Sequence, residues 1–163
     1  MRLKQYDYKN EGYYFITAVT GNREHFFWEI ESLEMNLSVA GNIAVEELLK
    51  CSDLRDNVFI DEYIIMPDHV HFILILTRTD TGSIKVIQND DYFSSISPKA
   101  GSVSSILRSY KSAVTKRCHE TGFDSFSWQR GFHDRIIRDQ KELDSIREYI
   151  VRNPIRWGRR GLA

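Results

Sequence analysis

The chain has 163 residues, 42% hydrophobic and 12% aromatic, which suits one folded domain with a real core and excludes a disordered chain. No apolar run approaches the roughly 20 residues that cross a bilayer, and Met1–Asp7 has no apolar segment of the signal-peptide type. A single soluble domain over 1–163, located in the cytoplasm and without membrane contact, is therefore expected. The net charge of −1 is unevenly spread: residues 1–98 hold 8 Lys/Arg against 16 Asp/Glu, and residues 99–163 hold 14 against 7. Such asymmetry either holds two parts of a fold together or marks a polyanion-binding surface in the C-terminal part. Cys51 and Cys118 show no metal-ligand spacing and are expected as free thiols.

Gly12–Thr20 is rich in aromatic and β-branched residues and is predicted to be a strand. Phe27 to Cys51 carries Trp28, Ile30, Leu33, Leu37, Ile43, Ala44, Leu48 and Leu49 at helical spacing, with Gly41-Asn42 as a break. Asn57–Met66 and Val70–Leu76 are predicted strands joined by Pro67-Asp68, and so short a link makes them an antiparallel hairpin. Thr77–Ser102, with its Gly, Ser, Asp and Asn, is expected as a mobile loop. Val103–His119 follows as an amphipathic helix with Ile106, Leu107, Tyr110 and Val114 inward and Arg108, Lys111, Lys116 and Arg117 outward. Phe132–Arg138 is a short strand. Lys141–Asn153 is a last helix, ended by Pro154, which disfavours helical geometry at Asn153. This order predicts an α+β domain: a ferredoxin-like antiparallel sheet with packed helices plus one further C-terminal helix.

Two segments carry chemistry. In Met66-Pro67-Asp68-His69-Val70-His71, residues i and i+2 of a strand face the same way. His69 and His71 then project together, as a metal-binding pair or as two hydrogen-bonded histidines. In the last helix, Tyr149 and Asn153 are four residues apart and share a face. That pair suits a nucleophile beside an amide ligand, or a core-edge tyrosine followed by a helix stop.

Taken together, Met-Pro-Asp-His-Val-His, the Trp128-Gln129-Arg130-Gly131-Phe132 segment and the closing Tyr149-Ile150-Val151-Arg152-Asn153-Pro154 resemble the REP-associated tyrosine transposases, a branch of the single-tyrosine HUH transposases. The resemblance runs from the first strand to about Trp157. It implies His69 and His71 as metal ligands, Tyr149 as the catalytic nucleophile and Asn153 as the third metal-binding side chain. Related insertion-sequence enzymes commonly place Gln at the position of Asn153. The implied cofactor is Mg²⁺ or Mn²⁺, although ligand chemistry alone also admits Zn²⁺. The implied partner is single-stranded or hairpin DNA, with the protein nucleoid-associated as a monomer or homodimer.

The implied reaction is attack of Tyr149 on a scissile phosphate, giving a 5′-phosphotyrosine and a free 3′-OH. A phenol titrates near 10 in water, so the step needs a proton acceptor; His133 and Asp134 are minor candidates to assist. Lys111, Lys116, Arg117, Arg147, Arg152, Arg156, Arg159 and Arg160 are expected to track phosphates. Trp157, among arginines, is the best candidate for stacking on an unpaired base, whereas Trp128 and Phe132 are expected in the core. A non-catalytic module that binds single strands, a water-activating metal phosphodiesterase and a replication or conjugation nickase are the alternatives.

Overall fold

A computed structural model describes residues 11–31, 34–77 and 101–160; at 30–31, 34–35, 155–156 and 158–160 it defines the backbone. Four strands form one sheet: β1 (Gly12–Val19), β4 (Val58–Met66), β5 (His69–Leu76) and β6 (His133–Ile137), in the order β4-β5-β1-β6. Every neighbouring pair is antiparallel. With α1 (Val39–Asp53) between β1 and β4 and α2 (Val103–Glu120) between β5 and β6, this is the split βαββαβ arrangement of ferredoxin-like folds. The third helix, α3 (Gln140–Arg160), follows β6.

The sheet separates two cores because side chains alternate along each strand. Tyr14, Ile16, Val70, Phe72, Leu74 and Ile65 point to one side, where they meet Ile43, Ala44 and Leu48 of α1 and Ile106, Leu107, Tyr110 and Val114 of α2. Ile73 and Ile137 point to the other side, where Leu143, Ile146 and Ile150 of α3 cover them. Asp139 starts α3 by accepting from the Glu142 backbone N–H at 2.8 Å, a side-chain cap on an otherwise unpaired donor. Arg147 of α3 ties the helix to β4 through Asp61 at 2.7 Å.

Two sequence expectations are corrected. Phe27–Cys51 is not one helical run: Trp28–Glu31 (β2) and Glu34–Leu37 (β3) pair as a two-stranded ribbon, and α1 begins only at Val39. Ser38 marks that start, accepting from Gly41 N–H at 3.0 Å and donating to the Phe26 carbonyl at 2.6 Å. Gly41-Asn42 therefore lies in the first turn and breaks nothing. Gly41 is there for space, since a Cβ would fall 2.2 Å from the Phe27 carbonyl oxygen.

The last helix does not stop at Asn153 but runs through Pro154 to Arg160. Proline removes one helical hydrogen bond, yet the next turn brings Trp157 onto His69 and His25, with ring centroids 6.0 and 5.7 Å away. That packing offsets the lost bond. The remaining strands and α2 fall within a residue or two of the predicted bounds, apart from the expected loop at 77–102, of which 78–100 lies outside the described residues.

Candidate active site

The turn Pro67-Asp68 joins β4 to β5 and sets His69 at the first position of β5. His71 follows on the same face, and the two rings stand edge to face with centroids 4.5 Å apart. Across the sheet His71 lies opposite Thr17 of β1, and Thr17 lies opposite His133 of β6. This face is the one that α3 covers.

Each imidazole is held through the same nitrogen. His69 Nδ1 is 2.5 Å from Asp68 Oδ1, and His71 Nδ1 is 2.8 Å from Thr17 Oγ1. Among the described residues neither Nε2 makes a hydrogen bond. Burial, assisted by the neighbouring His69 and opposed by Asp68, pushes the His71 imidazole down to about 3. It is thus a neutral ring with a lone pair, the form that binds a metal ion.

Helix α3 lays one column of side chains along this pair. Tyr149, Asn153 and Trp157 recur every four residues and share a face. Tyr149 meets His71 with ring centroids 5.5 Å apart and touches Phe15 edge-on at 6.0 Å. Trp157, one turn beyond Asn153, meets His69. Asn153 is therefore bracketed between the contacts to the two histidines. It is 7% exposed, and its Nδ2 is buried with no hydrogen-bond partner. Turning the amide over exchanges nitrogen and oxygen in the same space, so the position suits an oxygen donor to a cation. Among the described residues no three His, Cys, Asp or Glu side chains converge as a metal site. A metal here would rest on two imidazoles and one amide, and these residues fit it.

The other expected site residues are dispersed. Lys111, Lys116 and Arg117 lie on α2, across the sheet from the histidines. Lys111 donates to the Gln129 and Gly131 carbonyls at 2.8 and 2.6 Å, and burial lowers its pKa. Arg117 bridges Glu46 and Glu47 of α1 at 2.7 Å each, and Lys116 lies 3.9 Å from Glu120. On α3, Arg147 pairs with Asp61, Arg152 pairs with Glu148 at 2.9 Å, and the side chains of Arg156, Arg159 and Arg160 lie outside the described residues. Asp134 pairs with Ile16 in the register and points away from the site, whereas His133 shares the row of Thr17 and His71. Trp128 packs among Phe27, Tyr110 and Phe126, and Phe132 packs against the same core, as expected. Thr17 carried no signal in the sequence, because only the β1–β5 register reveals it. Asp68 was visible as a turn residue but not as a partner of His69.

This fold and site define a class: a ferredoxin-like domain with a paired-histidine strand facing a tyrosine helix. No family model matches the chain. An uncharacterized protein of Haemophilus influenzae is 34% identical over 160 residues, covering 96% of this chain and 88% of that one. A second Haemophilus influenzae protein, provisionally named as a REP-associated tyrosine transposase, is 30% identical over 95 residues, 58% of this chain and 48% of its own length. Among solved structures, a REP-associated tyrosine transposase bound to a REP hairpin superposes with a TM-score of 0.64 at 20% identity, covering 97% of this chain and 75% of that one. A provisionally assigned transposase of Deinococcus radiodurans gives 0.51 at 12% identity, covering 92% and 95%. The chain shares the fold of these two transposase structures, and over 95 residues it is similar in sequence to the second Haemophilus influenzae protein. Among the described residues no helix is long and apolar enough to cross a membrane.

Proposed function

We propose that this protein cuts and rejoins single-stranded or hairpin DNA through a covalent bond to Tyr149. The observation that carries the reading is the column Tyr149–Asn153–Trp157 set against His69 and His71, whose Nε2 atoms have no partner among the described residues. Tyr149 Oη attacks a scissile phosphate. The new O–P bond forms as the bond from phosphorus to the 3′ oxygen breaks. The proton lost by the phenol is balanced by the proton gained by the departing 3′-OH, and a 5′-phosphotyrosine remains. Because the bond energy is stored, another 3′-OH can reverse the step and join a different strand. His69, His71 and Asn153 would hold Mg²⁺ or Mn²⁺. The chemistry supplied there would be polarisation of a phosphate oxygen and neutralisation of its developing charge.

The DNA footprint is proposed to lie on the α3 side of the sheet, with Trp157, Arg147, Arg152, Arg156, Arg159 and Arg160. Lys111, Lys116 and Arg117 would meet a strand that wraps past the sheet edge. A hairpin substrate is supported by the likeness of the fold to the transposase solved with a REP hairpin.

The test mixes labelled hairpin DNA with the protein and Mn²⁺, followed by a denaturing protein gel. A labelled adduct at the protein's mass, absent for Tyr149→Phe and absent with chelator, is the expected result. Cleavage that survives Tyr149→Phe without an adduct would replace this reading with a water-activating phosphodiesterase. Binding without cleavage of any hairpin would leave a non-catalytic single-strand module.

A further inference from the structure

We infer that Asp68 is the positioning residue of the site, fixing which nitrogen of His69 is offered to a metal ion. The inference rests on the reading of His69 as a ligand, and it adds a residue that this reading does not contain.

An aspartate in a two-residue turn ordinarily sits in solvent and bonds to its own turn backbone. Asp68 does neither. It is 3% exposed, and both carboxylate oxygens reach outside the turn. Oδ1 takes His69 Nδ1, and Oδ2 takes Arg23 at 3.2 Å. Its backbone carbonyl accepts from the Thr20 N–H at 2.9 Å and the Thr20 hydroxyl at 3.0 Å, and Thr20 is itself fully buried. The residue is thus clamped by both main chain and side chain.

The chemistry of the two histidine partners differs. A carboxylate paired with a guanidinium accepts only, so it selects the proton on Nδ1 of His69, and of the two neutral tautomers it favours the one whose lone pair is on Nε2. The Thr17 hydroxyl beside His71 can donate or accept, so it does not dictate a tautomer. Asp68 alone of the two imposes one. Carboxylates that hold a ligand histidine in this way also raise the basicity of the far nitrogen.

The backbone around Arg23 supports a functional rather than incidental role. Asn22 and Arg23 both have positive φ, 53° and 56°, a left-handed conformation that is unfavourable for an arginine. The turn is fixed from outside: Gly21 N–H donates to the Ser127 carbonyl at 2.7 Å, and a Cβ on Gly21 would meet the Ser127 hydroxyl at 2.1 Å. Strain of this kind collects where a side chain must be placed. Here it places the Arg23 guanidinium 3.2 Å from a buried carboxylate.

The experiment uses ¹⁵N-labelled full-length protein, wild type, Asp68→Asn, Asp68→Ala and a His69→Ala/His71→Ala control. Imidazole ¹⁵N spectra of the metal-free proteins report the tautomer of His69, and titration with Mn²⁺ reports affinity. Thermal melts identify any variant that fails to fold, and the near-isosteric Asn variant then carries the comparison. In the wild type, His69 is expected as the Nδ1–H form. Asp68→Asn, whose amide can donate as well as accept, is expected to give a mixed tautomer and Mn²⁺ binding about 10-fold weaker, and Asp68→Ala up to about 100-fold weaker. Mn²⁺ affinity and tautomer both unchanged in the aspartate variants would overturn the inference. Failure of the metal reading itself has a different signature: wild type binding Mn²⁺ no better than the double-histidine control, while the tautomer measurement still reports on Asp68.

Discussion

Tyr149 and His71 meet ring to ring, with centroids 5.5 Å apart and planes at 65°, although one is on the last helix and the other on an inner strand. The contact depends on α3 docking over Ile73 and Ile137. Anything that moves that helix separates the proposed nucleophile from the histidines.

Thr17→Val removes the hydroxyl that holds His71 Nδ1 at 2.8 Å while keeping the β-branched shape the strand favours. Mn²⁺ affinity is expected to fall about 10-fold, and stability by about 1 kcal/mol. Calorimetric titration and urea melts measure the two effects. Wild-type affinity in the variant would show that packing alone orients His71.

Gly41→Ala improves helix propensity by about 1 kcal/mol yet is expected to destabilise the protein. The new Cβ would lie 2.2 Å from the Phe27 carbonyl oxygen and 3.1 Å from a Leu37 methyl. A net loss of about 1–3 kcal/mol is expected in urea denaturation. A gain would mean that the Phe26–Ser38 contacts give way easily.

Arg117→Met tests the bridge between α1 and α2. Burial raises the Glu47 pKa, but hydrogen bonds from Lys50 and Arg117 outweigh it and hold the carboxyl below its ordinary value of 4.5. A lowered folded-state pKa stabilises the protein above the unfolded value, and the contribution is lost as pH falls through the folded one. Wild type is therefore expected to exceed the variant by about 1 kcal/mol near neutral pH, with the gap closing as pH drops below 4.5. A gap that does not change with pH would assign Arg117's contribution to packing.

Cys51 and Cys118 are both buried and unpaired, and burial pushes each thiol up to about 11. A thiol-reactive chromophore at mildly alkaline pH is expected to label neither at an appreciable rate in the native protein. Both should label at the rate of unfolding in urea. Rapid labelling of Cys51 alone would reveal local opening of the C-terminal turn of α1.

The sequence made much of this architecture legible because its strands are strongly apolar and its hairpin is tight. Alternation put His69 and His71 on one face, and four-residue spacing did the same for Tyr149 and Asn153. That these two faces meet is a tertiary fact, and it rested on family resemblance. Trp28 and Leu37 fit a helical period while sitting on a ribbon, since short apolar runs satisfy both periods. Pro154 was misjudged because the local rule lost to the packing of Trp157. Thr17 and Arg23 were invisible, the first for want of register and the second because its role depends on a left-handed turn.

The two cores are unequal in a way that bears on motion. Among the described residues, 21 buried side chains form the core beneath α1 and α2, and five form the one beneath α3. Cooperative units with few buried apolar contacts open at lower free energy than the whole molecule. The amides of α3 are therefore expected to exchange with solvent deuterium through openings smaller than those that expose β1 and β5. The expected result is a minor population in which the sheet, its hairpin and the histidine pair stay intact while Tyr149 swings clear of them, so that mild denaturant would abolish the proposed cleavage before it unfolds the protein.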